Sequence, residues 1–511
     1  MARCLPLVFI AVAGTTFAQM SAPGSGPANS SRAVPLPASG RSAPGSVTAQ
    51  QLPNSSGGVS TVSPSVQVSG DFAASVSNSE PGSGPLSLSL LDAVNLGLRA
   101  NLGTISASSA VRASRAQRLQ ALSALLPNIS AQASETATQV NLAAYGFQFK
   151  LPPGSGFSIP SVVGPFSYSS LAGSVSQSIW DPVQLRNWQA AKQTEQASVM
   201  NAKDARELVV LAVAGTYLET LADTARVESQ RAQVANAQAV YQQAVVRKEA
   251  GTNAKIDVMR SLVELQTQQQ RLQSLEADLR KQKITLARIV GLPQDRELTL
   301  SEGLSSESVG VPVLDTALQD AIKNRSDLRA AEIQVRAAQL ALSAAHAERL
   351  PSLSLSGDYG VLGPNPASTH GVFAVTGAVN VPIWQGGRIS ADVQQAEATL
   401  HQRQAELADQ RAQVEQDVRN ALIELETAAG EVRLSETNRN YAGETLAEAR
   451  DRFAAGVATT VEVVQAQEQV ASAESDYISS LFALNLSRLS LARATGQAET
   501  GIQDLLEGTR P

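Results

Sequence analysis

The sequence predicts a mainly α-helical chain with paired β segments of membrane-crossing length, built by internal duplication. Three observations carry that expectation. A glycine turn occurs twice, in "RKEAGTNAKIDV" from Arg247 to Val258 and in "RFAAGVATTVEV" from Arg452 to Val463, with Gly251 and Gly456 205 residues apart. Each turn follows a long polar, Ala-rich run with no interior proline, and self-similarity at a fixed offset marks a repeat architecture. Each copy also carries an alternating stretch that opens at a helix-breaking Leu-Pro pair, Leu126-Pro127 or Leu350-Pro351.

At the N-terminus, "MARCLPLVFIAVAGTTFAQ" joins a basic Arg3 to an apolar run and small residues before a cleavage point after Ala18, so residues 1–18 read as an export signal. A membrane anchor is disfavoured, because the run is shorter than the roughly 20 residues a spanning helix needs. Cys4 is the sole cysteine and lies in this leader, which removes disulfides, thiol catalysis, thiolate metal sites and lipidation from the remaining chain. With no run of 18 apolar residues recognised beyond it, no helical membrane span is expected. A formal charge of -6 argues against nucleic acid as a partner.

Residues 19–85 are nearly all Ser, Gly, Pro, Ala, Val, Asn and Gln, and are expected to form a disordered extension. The first repeat spans 86–300, a linker 301–310, the second repeat 311–497, and a tail 498–511. Order begins at "LSLLDAVNLGLRAN", where Asp92 is expected to cap a helix, and Asp315 takes the same place in the second copy. The long runs, Arg186 to about Ala250 and Arg388 to about Ala455, would each extend about 100 Å as helices. The helices before the strands and after the turns are near half that length, so two laid end to end would flank one long helix. Glycine suits the reversals because it reaches left-handed backbone angles cheaply. After the first turn, Val258, Leu262, Leu265, Gln269, Leu272, Leu275, Leu279, Gln282 and Leu286 follow steps of four and three, a coiled-coil seam; the second copy keeps the spacing from Val463 to Leu491 with a more polar fill.

The alternating segments, 128–180 and 352–384, form two hairpins. Leu353, Leu355, Gly357, Tyr359 and Val361 alternate with Ser352, Ser354, Ser356, Asp358 and Gly360; Phe373, Val375, Gly377, Val379, Val381 and Ile383 share one face of the partner; Leu171, Val175 and Ile179 do so in the first copy. Each strand is read as about 9 to 12 residues, enough to cross a bilayer when tilted. The commoner cause of alternation is a soluble half-buried sheet. Four strands alone cannot hide their edges, however, and no soluble layer is visible to bury them, so strands pooled from several subunits into a membrane barrel are preferred. Trp180 and Trp384, at the ends of these segments, suit an interfacial aromatic girdle or a local core cap. The loop from Ala143 to Phe166 reads as about 20 residues longer than "LGPNPASTH", and long loops belong on the outer side of outer-membrane barrels.

The duplication, the Leu-Pro entry into strands, the apolar-Trp exit and the two Arg-x-x-x-Gly turns followed by an acid together resemble the TolC-like family of outer-membrane efflux and secretion channels, over Leu86 to Gln497. The resemblance implies a homotrimer in which each chain gives four strands to a 12-stranded transmembrane barrel and its helices to a long α-helical coiled-coil barrel in the periplasm. It implies an exit channel of a tripartite efflux or type I secretion system, in the outer membrane among its lipids, served by a periplasmic adaptor and an inner-membrane pump or exporter. It also implies an acidic ring at the periplasmic entrance. Glu462 takes the first such position, Gln465 stands where a second acid is usual, Ala458 replaces a basic latch residue, and Asp257 is the first-copy counterpart of Glu462. Three converging carboxylates would repel anions; equally, Asp257 and Glu462 suit any helix N-terminus. Arg247 and Arg452 are expected either to satisfy helix-end carbonyls or to face an adaptor, and Gly251 and Gly456 to meet adaptor hairpins.

Other functions fit less well. His346, His370 and His401 are the only histidines, and no nucleophile elbow, phosphate loop or metal spacing accompanies them, so neither enzyme activity nor a cofactor or metal is expected. The alternative is a periplasmic coiled-coil adaptor or scaffold, which would carry one helical hairpin between soluble β-domains.

Overall fold

The computed structural model describes residues 32, 46–54, 61–77, 84–146, 160–251, 254–306, 310–499 and 501; the export leader and most of the tail lie outside them. In chain order the elements are β1 (Val47–Asn54), β2 (Thr61–Val68), β3 (Leu86–Leu88), α1 (Leu90–Ala100), α2 (Leu102–Ser123), β4 (Asn128–Asn141), β5 (Val162–Trp180), α3 (Pro182–Glu249), α4 (Lys255–Val290), β6 (Leu298–Leu300), α5 (Leu314–Asn324), α6 (Ser326–Ala347), β7 (Ser352–Gly363), β8 (His370–Asn380), α7 (Arg388–Ala454) and α8 (Thr460–Ala494). The chain divides into two compact units.

One unit, with residues 120–188 and 343–393, holds an antiparallel sheet in the order β4-β5-β7-β8. Side chains directly opposite one another share a face. Register therefore gathers Ile129, Leu171, Val175, Leu353, Leu355, Tyr359, Phe373, Val375 and Val379 on one face. The opposite face carries serines, with Ser130 and Ser174 Oγ atoms 2.7 Å apart and those of Ser134 and Ser170 2.8 Å apart. The apolar face is uncovered in the single chain: Phe373 is 78% and Val375 71% exposed. Among the described residues, strands β4 and β8 are its two unpaired edges.

Several details differ from expectation. At 14 and 19 residues, β4 and β5 exceed the expected length. A register shift between Ser178 and Trp180 changes strand parity, so Trp180, and not Ile179, sits opposite Leu353. Strand β8 stops at Asn380, leaving Val381, Ile383 and Trp384 beyond it. The strand connections are 142–161 and 364–369, 20 residues against 6, so they differ by 14. At the exit from β5, Asp181 Oδ1 accepts from the Val183 and Gln184 amides at 3.0 Å, and Pro182 opens α3 at the position where its missing N–H is harmless.

The other unit is mainly helical and records the duplication closely. Helices α1 and α5 both have 11 residues, and α2 and α6 both have 22, at an offset of 224. At 68 and 67 residues, α3 and α7 each extend about 100 Å. The main core surrounds the middle of α3: Val209, Val210, Val213 and Tyr217 pack with Leu90 and Val94 of α1, Leu286 and Val290 of α4, and Phe482 and Leu486 of α8. This stretch of α3 is long and apolar enough to cross a bilayer, contrary to the sequence reading, but it is mostly buried within the protein. The Tyr217 hydroxyl donates to the Leu88 carbonyl at 3.0 Å, tying α3 to the parallel β3-β6 pair.

Three local expectations are corrected here. Asp92 does not cap α1: Ser89 does, its hydroxyl accepting from the Asp92 amide at 3.1 Å while the Asp92 carboxylate accepts from that hydroxyl at 2.7 Å. Val313 holds the cap position of α5, with Asp315 in the first turn. Each helix read as continuous is broken after 11 residues, at Asn101 and Arg325. The fully buried Asn101 accepts from the Gly103 amide and donates to the Phe72 carbonyl, both at 2.8 Å.

Phe72 shows why residues 19–85 are not wholly an extension. Strands β1 and β2 pair antiparallel from Val47↔Val68 to Asn54↔Thr61, and Val47 and Phe72 join the main core. The few apolar residues in this polar stretch are enough to anchor it, because α3 and α8 offer a surface already organised by the rest of the chain. In the coiled-coil seam of α4, Gln268 replaces the expected Gln269, which is exposed. Gln268 donates to Glu264 and accepts from Gln230 of α3, both at 2.6 Å, so a polar ladder holds the hairpin there.

Candidate functional site

Both hairpins reverse at a glycine in left-handed geometry, with φ +75° at Gly251 and +79° at Gly456. The turns share a hydrogen bond, from the Gly251 amide to the Lys248 carbonyl at 3.0 Å and from the Gly456 amide to the Phe453 carbonyl at 3.1 Å. Among the described residues nothing lies within 4 Å of where a Cβ would stand at either glycine, so backbone angle and not crowding requires the residue.

Arg247, in the last turn of α3, reaches the other hairpin. Its guanidinium donates to the Phe453 carbonyl at 2.7 Å and the Ala454 carbonyl at 2.8 Å, and stands 4.4 Å from the Phe453 ring centroid. The C-terminal carbonyls of α7 are thus met by a cation from another helix. Beneath it, Val240 of α3 packs with Leu446 and Phe453 of α7 and Val463 and Ala466 of α8. Ala458 packs against this cluster.

Glu462 lies in the first turn of α8 and forms a capping box. The Thr459 amide donates to its carboxylate at 3.2 Å, and its own amide donates to the Thr459 hydroxyl at 3.4 Å. The second carboxylate oxygen is 3.7 Å from Arg452. Asp257 is in the first turn of α4, 3.9 Å from Arg260, where Ala254 offers no side-chain cap. Gln465 is exposed one turn beyond Glu462. The structure thus gathers Arg247, Arg452, Gly456 and Glu462 at the second tip and places Gly251 and Asp257 at the first. Trp180 and Trp384 belong to the sheet unit; register puts the end of β5 beside the start of β7 and the end of β8, so both follow the same end of the sheet.

A second polar cluster was not anticipated. Arg325 donates to Asp327 at 2.6 Å and Asp417 at 2.7 Å, Gln410 donates to Asp327 at 2.8 Å, and Arg493 pairs with Asp204 and, at 3.0 Å, with Glu207. Asp204, Arg325, Asp327, Gln410, Asp417 and Arg493 line a cavity of 1090 Å³ within the helical unit. Burial pushes the Glu207 carboxyl up to about 7 against the pull of Arg493, and raises Asp204 for the same reason. Burial also acts to raise Asp327, but the hydrogen bonds and charge of Arg325 outweigh it and hold Asp327 below its ordinary value. The only sequence hint was that Arg325 stands where the first copy has Asn101.

Comparison with known proteins follows the same division into two repeats. The model of the outer membrane efflux protein family matches residues 105–292 and 317–497. The chain belongs to the outer membrane efflux protein family. Members are non-enzymatic outer-membrane transport proteins. The pyoverdine export outer membrane protein OpmQ of Pseudomonas putida is 28% identical over 192 residues, covering 36% of this chain and 40% of that protein. Nodulation protein T of Rhizobium leguminosarum bv. viciae is 26% identical over 291 residues, 53% of this chain and 58% of that one. The matches thus span less than two thirds of these relatives' lengths. The solved CmeC outer membrane channel of Campylobacter jejuni superposes with a TM-score of 0.68 at 15% identity, covering 90% of this chain and 98% of that one, which shows a shared fold.

Proposed function

We propose that this efflux-family chain is the exit duct of a tripartite efflux or type I secretion system, conducting substrates passively across periplasm and outer membrane. The observation that carries the reading is the four-stranded sheet: one face apolar and uncovered, the other lined with serine, and both edges unpaired. In hydrocarbon the unpaired backbone groups of β4 and β8 are satisfied only by closure with other strands, and three copies supply twelve. The apolar face then meets lipid and the serine face the lumen, with Trp180 and Trp384 at the membrane boundary.

In this reading the tips face the periplasm. Glu462, with Gln465 beyond it and Asp257 in the first hairpin, supplies charge at the entrance, while Gly251, Gly456, Arg247 and Arg452 present the surface for a periplasmic adaptor that connects to an inner-membrane pump. The capping box and the entrance charge are compatible roles for Glu462, since capping leaves its side chain partly exposed. The name of OpmQ specifies pyoverdine export, and pyoverdine is one cargo to test here.

Single-particle imaging of the detergent-purified mature chain tests the reading. A three-fold tube with one micelle-bound end is expected; a monomer or dimer without a micelle belt would return the hairpins to a soluble scaffold.

A further inference from the structure

The serine face of the sheet changes character along its length. On β5 it runs Ser178, Ser176, Ser174, Ala172 and Ser170, then turns to Tyr168 and Phe166. Register fixes the side. Ser134 and Ser170 are hydrogen-bonded through their hydroxyls on that face, and the next pairs on it are Thr136 opposite Tyr168 and Thr138 opposite Phe166. The register shift in β4 lies beyond Thr138, so the alternation reaches both rings unbroken. Two neighbouring strands change in the same way: β7 passes from Ser352, Ser354 and Ser356 to Leu362, opposite Ser170, and β8 from Thr376 to Val372, opposite Gly360. The serines lie at the helix end of the sheet, and the apolar side chains at the end joined by the connections 142–161 and 364–369.

These rings are not part of a lipid girdle. Tyr359 and Phe373, opposite one another on the apolar face, are the aromatics placed for that role. Tyr168 and Phe166 are on the other side of the sheet, where Phe166, Leu362 and Val372 are exposed and Tyr168 is half-buried. Among the described residues no cation stacks on either ring, and the Tyr168 hydroxyl has no hydrogen-bond partner. Covering an exposed ring is favourable, and a second ring covers it well because offset-stacked and edge-to-face arrangements add to the burial of area. A serine surface, already hydrated, offers an apolar solute no such gain.

We infer that Phe166, Tyr168, Leu362 and Val372, repeated in each copy around the outer mouth, form a contact site for cargo that bears an aromatic ring or a planar apolar group. The site rests on the duct proposed above, in which the serine face lines the lumen and every departing solute passes this end. Its four side chains carry no charge, so it selects by ring surface, with the Tyr168 hydroxyl free to hydrogen-bond a polar substituent. Cationic rings gain further from the faces of Tyr168 and Phe166. The serine-lined stretch below it carries no comparable rings on β5 or β7, so aromatic cargo is held at the exit and not along the barrel wall.

Planar-bilayer recording of the full mature protein tests this, with blockers added to the compartment opposite the one that received protein, which the strand connections face. Benzyl viologen and hexamethonium are both dications, and only the first has rings. Benzyl viologen is expected to reduce the current at concentrations about tenfold lower than hexamethonium does. The double variant Phe166→Thr with Tyr168→Thr extends the threonines opposite and is expected to remove that advantage while leaving the hexamethonium block unchanged. Leu362→Thr, on the neighbouring strand, is expected to weaken the benzyl viologen block by a smaller factor, and it decides the question if the double variant does not assemble. Ser167→Phe adds a ring between the two on the opposite face and is expected to change neither block. Equal block of parent and threonine variants by benzyl viologen, in channels that conduct, overturns the contact site and spares the duct. An effect of Ser167→Phe as large as that of the double variant overturns the face assignment and the site with it. A parent protein that carries no current overturns the duct reading itself.

Discussion

Arg247 of the first hairpin holds the last carbonyls of the second, donating to Phe453 at 2.7 Å while lying over that residue's ring. One side chain thus ends its own helix and completes another. Replacing it with alanine removes two charge-assisted hydrogen bonds and a cation–π contact, together about 2–4 kcal/mol of local stability. Amide exchange is expected to accelerate over 452–462 with little change in the main core around Tyr217. Uniform acceleration throughout the chain would show that Arg247 supports the global fold instead of the tip.

Glu462 combines a structural role seen in the capping box with a proposed electrostatic one at the entrance, and two substitutions separate them. Glu462→Gln keeps a side chain able to complete the box but removes the charge, so cation selectivity and conductance in planar bilayers are expected to change while the melting temperature stays close to the original. Thr459→Ala should do the reverse, losing about 0.5–2 kcal/mol from the helix start with selectivity retained. If Glu462→Gln leaves both selectivity and conductance unchanged in an intact trimer, the carboxylate is a cap alone.

The large features of the fold were legible because they repeat. Gly251 and Gly456, the two Leu-Pro pairs and the serine alternation each occur twice, and a pattern that must satisfy the same backbone geometry twice leaves the same residues. What escaped was built from contacts distant in sequence. Asn101 and Arg325 occupy equivalent breaks with unrelated side chains, so the duplication hid them. Nothing local marks Phe72 as a core residue inside a polar segment. At the tips the turns were legible, but the reach of Arg247 to Phe453 crosses from one repeat to the other, and no periodicity within a helix reveals that.

The break at Asn101 should be sensitive for that reason. Its amide satisfies the Gly103 amide and the Phe72 carbonyl in a fully buried place, so Asn101→Ala leaves polar groups unpaired, at about 2–3 kcal/mol. Gly103→Ala attacks the same junction by another route, since the added Cβ would clash with the Phe72 ring. Both variants are expected to hasten limited proteolysis within 46–77. Unchanged cleavage in both would mean that β1 and β2 are held independently of this junction.

The cluster around Arg493 yields a pH dependence with a definite sign. Burial raises Glu207 from 4.5 to about 7, so the folded chain binds its proton more tightly than the unfolded chain does. The associated stability is fully present below about pH 4.5 and is lost as pH rises through about 7, with an upper limit of about 3 kcal/mol. Asp204 shifts in the same direction and adds to the slope, whereas Asp327, held below its ordinary value by Arg325, loses stability only under acid conditions. Glu207→Gln removes one titrating group and the burial of its charge. Thermal melts between pH 5 and 8 should therefore show a shallower decline than the parent, with the variant equal or superior at pH 8. A decline of equal steepness would place the titration elsewhere, and a variant weaker at every pH would show that the Glu207–Arg493 pair outweighs the burial of its charge.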